Sequence, residues 1–114
     1  MNIQIITAGK GFETQKAIRY FKERRISVQL VELSKKRPLS QGELDSVVRA
    51  IGMEQLIDQG SKAYKNLNID YYGVTSEQTK KLIMQNTDLM KMPLVRNGRK
   101  ATAGYCPEIW SSWE

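Results

Sequence analysis

A glycine turn at a strand-to-helix junction, Ala8-Gly9-Lys10-Gly11, and a single thiol, Cys106, are the two places where this sequence offers chemistry. Gly9, Lys10 and Gly11 run into a helix beginning near Phe12, so backbone N–H groups at the positive end of the helix dipole could hold an anion there. The turn is not a nucleotide P-loop, because GxxxxGK[ST] is unmatched and no carboxylate is spaced to hold magnesium. It reads equally as a tight turn carrying a solvated lysine. Cys106 follows Gly104-Tyr105 and precedes Pro107, at the start of a terminal helix whose N-terminus would favour a thiolate. A lone cysteine has no resolving partner in the chain, however, and most such residues are buried and inert. One cysteine excludes an intramolecular disulfide, and the absence of histidine removes the commonest general base and metal ligand. Serine–histidine, cysteine–histidine and zinc-finger chemistries are thereby excluded, and no metal site is expected.

The hydrophobic pattern outlines the elements that must position these residues. Asn2-Ile3-Gln4-Ile5-Ile6 alternates and then turns apolar, as a buried central strand would, and stops at Ala8-Gly9. From Phe12, the positions Ala17, Ile18, Tyr20 and Phe21 recur at helical spacing to about Arg24. Residues 28–33 read as a second strand, parallel to the first because a helix intervenes. Ser40 with Glu43 three residues on forms a capping box, followed by a buried stripe of Leu44, Val47, Val48 and Ile51 that Gly52 ends. Helical pieces over 53–58 and 61–67, then a helix over 75–86 capped by Thr75 or Ser76 and burying Thr79, Leu82 and Ile83, complete a helical insert at about 40–87. Strands over 92–96 and 99–103 flank Asn97-Gly98, a hairpin signal. A terminal helix over 107–113 starts on Pro107 and turns Trp110 and Trp113 toward the sheet. The order β-α-β, helical insert, β-β-α predicts an α/β fold on a four-stranded mixed sheet.

A chain of 114 residues, 40% hydrophobic and 26% charged, falls in the globular range and is expected to form one domain over 1–114. No apolar run approaches the roughly 20 residues a membrane span needs, and no basic segment precedes a long apolar one at the start, so the expected compartment is the cytoplasm. A net charge of +6 fits an acidic partner or a nucleic acid, but no aromatic-interleaved basic stripe accompanies it, and direct nucleic-acid binding is disfavoured. The basic runs 22–25 and 35–37 read as solvated rims. Met84, Met90 and Met92 read first as core and second as a soft partner surface.

The element order is the thioredoxin-like arrangement, and over nearly its whole length the chain resembles one branch of it, the arsenate reductase and Spx (ArsC-like) family. The strand-to-helix opening, Ser61-Lys62-Ala63-Tyr64-Lys65-Asn66-Leu67-Asn68, Leu89-Met90-Lys91-Met92-Pro93-Leu94-Val95 and Gly104-Tyr105-Cys106-Pro107-Glu108-Ile109 carry the resemblance together. The spacing of the insert looks nearer to Spx than to the reductases. The resemblance implies a cis bond at Met92-Pro93. Reductases of the family place a nucleophilic cysteine after the first strand, and Spx-type members place a Cys-x-x-Cys pair there followed by arginine. Aligned on that pattern, the positions hold Gly11, Thr14 and Gln15. Three arginines that cradle the oxyanion in the reductases are replaced by Gly60, Met92 and Tyr105.

Reduction of an oxyanion needs a thiolate and fixed cations, and Gly11 supplies no nucleophile while Thr14 has no evident base to activate its hydroxyl. The resemblance therefore implies a cofactor-free, non-catalytic binding or regulatory protein whose Spx-like partner would be the RNA polymerase alpha subunit. A disulfide switch between positions 11 and 14 is excluded. The alternative is a glutathione-dependent or arsenate reductase-like thiol oxidoreductase using Cys106, with Lys10, Lys62 or Arg96 standing in for the absent arginines.

Overall fold

In the computed structural model, which describes residues 2–9, 11–67 and 76–113, β1 (Ile3–Thr7) is the inner strand because its residues are apolar on both sides: Ile3, Ile5 and Ile6 are all buried. It pairs in parallel with β2 (Val28–Glu32), Ile3 opposite Val28 and Thr7 opposite Glu32. On its other side it pairs antiparallel with β3 (Leu94–Asn97), which in turn pairs antiparallel with β4 (Lys100–Ala103), giving the order β2-β1-β3-β4. This is the predicted four-stranded mixed sheet. Period-2 alternation sends Ile3, Ile5 and Val95 to one face, where they meet Ala17, Tyr20 and Phe21 of α1 (Phe12–Glu23) and Trp110 of a C-terminal helix described below. Ile6, Val31, Leu94 and Ala101 point the other way, under the helices of the insert.

Those helices are α2 (Gln41–Ile51), α3 (Met53–Leu56), α4 (Lys62–Leu67) and α5 (Ser76–Gln85), followed by a 3-10 turn (Thr87–Leu89). α2 begins as predicted, with the Ser40 hydroxyl accepting from the Glu43 N–H and the Glu43 carboxylate accepting from the Ser40 N–H. Arg37 forks onto that same carboxylate at 3.1 and 2.8 Å. A Lys80–Asp45 ion pair at 3.1 Å links α5 to α2. Thr75, proposed as a cap for α5, lies outside the described residues. α3 is shorter than its predicted span, because Ile57 turns extended and bridges Met90, with Asp58 N–H donating to Leu89 C=O and Lys91 N–H to Leu56 C=O.

Two turns differ from the pattern. The hairpin loop is Gly98-Arg99, not Asn97-Gly98: Asn97 stays in the ladder opposite Lys100, and Gly98 takes φ +61 at the first loop position, where a II′ turn wants glycine. α1 ends in a Schellman motif, Ile26 N–H to Phe21 C=O and Arg25 N–H to Lys22 C=O, with Arg25 itself at φ +57. The C-terminal helix α6 (Pro107–Ser111) stops short of Trp113, because Ser112 and Trp113 close on i−3 carbonyls. Trp110 is fully buried and Trp113 half-buried. Among the described residues no helix is long and apolar enough to cross a membrane.

Candidate functional site

Strand register decides which sequence-selected residues meet. Ile6 lies opposite Leu94, and Leu94 opposite Ala103, so the turn leaving β1, the Met92-Pro93 approach to β3 and the Gly104-Tyr105-Cys106 exit from β4 share one end of the sheet. The Met92–Pro93 peptide is cis, and Gly104 N–H donates to Pro93 C=O at 2.9 Å, tying two of these segments together. The Ile57–Met90 bridge brings the turn containing Gly60 to the same segment. Gly11, Thr14, Met92, Tyr105 and the Gly60 turn are thus gathered at one place, with Gln15 exposed on the first turn of α1. Lys10 lies outside the described residues.

Gly11 is the N-cap of α1, in extended backbone with no side chain to satisfy the first-turn donors, and a Cβ built there meets nothing within 4 Å. Thr14 is buried, its hydroxyl 2.9 Å from that of Thr7, and Thr7 donates to Gly9 C=O at 2.9 Å. A hydroxyl has one proton. Since that of Thr7 goes to Gly9, Thr14 donates to Thr7, and the chain of bonds stitches α1 to the end of β1. Thr14 is therefore a structural tie between α1 and β1. Its partner Thr7 escaped sequence reading because a polar residue ending a strand looks like the start of a loop. Glu13 sits in the first turn of α1, its carboxylate 4.0 Å from the Lys16 ammonium.

Cys106 is half-buried, and its Sγ donates to Ala103 C=O at 3.5 Å. Burial pushes its thiol above the ordinary cysteine value; Lys91 pulls it down and Glu13 pushes it further up. The net direction is away from the thiolate that the N-terminus of the terminal helix was expected to favour. The exposed fringe of this end is apolar: Phe12 is 87% exposed, Ile109 47% and Tyr105 37%. The Tyr105 ring stands edge-on to Trp110 with centroids 5.5 Å apart, and Lys16 lies 5.6 Å from its centre. Arg96 is not here. It pairs with Gln4 toward the far end of β3, so it cannot stand in for an arginine of the loop. Of the methionines, Met90 is core, Met92 half-buried and Met84 exposed.

This end of the sheet thus brings together a glycine and a threonine in the loop, one half-buried thiol and an aromatic rim. Residues 10–112 match the ArsC family. An arsenate reductase of Haemophilus influenzae is 30% identical over 82 residues, 69% of this chain and 71% of that protein. The global transcriptional regulator Spx of Listeria innocua is 29% identical over 70 residues, 60% of this chain and 53% of the regulator, so the chain spans about half the length of that relative. Among solved structures, an ArsC family related protein from Bacteroides fragilis superposes with a TM-score of 0.82 over 100% of this chain and 98% of that one, at 23% identity, which shows the shared fold. Sequence match, sheet order and the converging loops agree, and the chain belongs to the ArsC family.

Proposed function

We propose that this ArsC-family chain is a non-catalytic binding protein, related in manner of action to Spx-type regulators, and that it contacts its partner through the loop end of the sheet. The observation that carries the reading is the α1 N-cap: Gly11, which the proposed alignment sets against the family's cysteine, has no side chain, and the next residue, Phe12, is 87% exposed. An aromatic ring left in water at the start of α1 is an apolar surface that a protein partner can cover. A loop with no thiol and no flanking arginine lacks the nucleophile and the guanidinium cradle that reduction of an oxyanion uses. The partner on this reading is the RNA polymerase alpha subunit, the compartment is the cytoplasm, and neither a cofactor nor a disulfide switch is involved.

Two assays on one preparation test it. Surface-immobilised alpha C-terminal domain should retain the wild-type chain and lose Phe12→Ala. Arsenate supplied with glutathione and glutaredoxin should turn over no faster with wild type than with Cys106→Ser. A turnover that Cys106→Ser abolishes would replace the reading with the thiol reductase one, and equal retention of Phe12→Ala would remove the loop end as the contact face.

A further inference from the structure

Arg96 lies on β3 directly across from Gln4, on the face covered by α2. Its guanidinium donates to Gln4 Oε1 at 2.8 Å and to Ser46 Oγ at 3.2 Å, and its buried Nε has no partner. Both acceptors are neutral. A guanidinium drawn partly out of water is ordinarily matched by a carboxylate, because desolvating a charge is costly unless an opposite charge meets it. Among the described residues no carboxylate pairs with Arg96, nor with Arg49 or Arg99. Arg49 and Arg99, with Ser46 and Ala50, line a cavity of about 460 Å³ between α2 and the β3–β4 turn. Ser46 joins the two features: its oxygen accepts from Arg96 on one side, which leaves its proton to donate on the other.

We propose that this cavity binds a small phosphate-bearing ligand, of the size of a nucleoside monophosphate. Two exposed guanidinium forks lining the cavity, a third cation held behind Ser46 and a hydroxyl donor are the donor set that a phosphate monoester takes, and planar forks match phosphate oxygens in pairs. The volume lies in the range of small-molecule sites, about 300–1,000 Å³, and exceeds what a bare phosphate fills. An organic body would lie against Ala50 and the methylene stems of Arg49 and Arg99. The site is at the opposite end of the sheet from Gly11 and stands independently of the regulatory reading, since β3 runs from Leu94 beside the loop to Asn97 opposite Ile3.

Isothermal titration of the full chain with adenosine monophosphate and with inorganic phosphate, at ionic strength matched by sodium chloride, tests this, with amide shifts mapping the contact. Saturable binding of the monophosphate is expected, tighter than that of inorganic phosphate, with shifts at Ser46, Arg49 and Arg99. In Arg49→Ala/Arg99→Ala, whose altered side chains are exposed and leave the core intact, affinity should fall by about tenfold or more. Arg96→Gln should weaken binding as well. Absence of saturable binding, unchanged affinity in the double variant, or shifts centred on residues 9–14 would overturn the proposal. Duplex DNA binding through the same arginines more tightly than the monophosphate would also overturn it, in favour of a nucleic-acid backbone contact.

Discussion

At Gly11 the backbone is ready for a side chain that the sequence does not supply. Its φ is −103, within the range of any residue, and the space beyond Cα is empty, so a cysteine fits there without strain. In Gly11→Cys/Cys106→Ser the new thiol would cap a helix of twelve residues in the open, the setting that lowers a thiol pKa, whereas the native thiol is pushed up by burial. At neutral pH it should react with iodoacetamide about tenfold or more faster than Cys106 in the native chain. Equal rates would show that this N-cap gives a thiolate no help. No arsenate reduction is expected of the variant on the proposed alignment, which sets Gly60, Met92 and Tyr105 against the arginines of the reductases. Thr14, by contrast, is committed to Thr7, a role invisible to spacing because it depends on where β1 stops.

Helix α2 shows what capping does for an element. Its first turn is closed by Ser40 and Glu43, and Glu43 is held down to about 2 first by its hydrogen bonds to Arg37, with help from Ser40. Ser40→Ala should cost about 1 kcal/mol, read as a lower midpoint in urea unfolding. The pH dependence has a definite sign. A carboxylate with a folded pKa of about 2 and an ordinary value of 4.5 stabilises the fold fully above 4.5, and that contribution is lost as pH falls toward 2. Glu43→Gln should flatten stability against pH over that interval; an unchanged slope would mean the carboxylate is equally held in the unfolded chain. This box was readable from the sequence because both its members are local. Other element details were not. Arg25 sits at φ +57, where glycine is the usual signal, because the Schellman bonds fix it there. The hairpin turn shifted by one residue because cross-strand pairing kept Asn97 opposite Lys100. The Ile57–Met90 bridge joins residues far apart in sequence, which no periodicity records.

Across the whole molecule, Trp110 is the point at which the elements meet. Its ring contacts Tyr20 and Phe21 of α1 at 5.2 and 5.1 Å between centroids and Tyr105 of the loop end, and its indole N–H donates to Thr102 of β4 at 2.8 Å. Trp110→Phe keeps most of the apolar volume but removes the donor and leaves a buried hydroxyl to find a new partner, so a loss of about 1–3 kcal/mol is expected in thermal or denaturant unfolding. A loss below that range would mean that water or a shifted Thr102 rotamer satisfies the hydroxyl. The element order and the mixed sheet were legible because β1 turns apolar before a glycine turn, a helix separates it from β2, and Asn97-Gly98 marks the hairpin. The clustering of Arg49, Arg96 and Arg99 was not, since α2 is placed over β3 and β4 by packing that sequence does not display. One further consequence follows from Trp110 and the half-buried Trp113 sharing a short helix. The protein carries its own optical gauge: a quencher in solution reaches one indole and not the other, and any partner that presses on Tyr105 touches the shielded chromophore's neighbour, so covering of that surface can be followed by emission without a label.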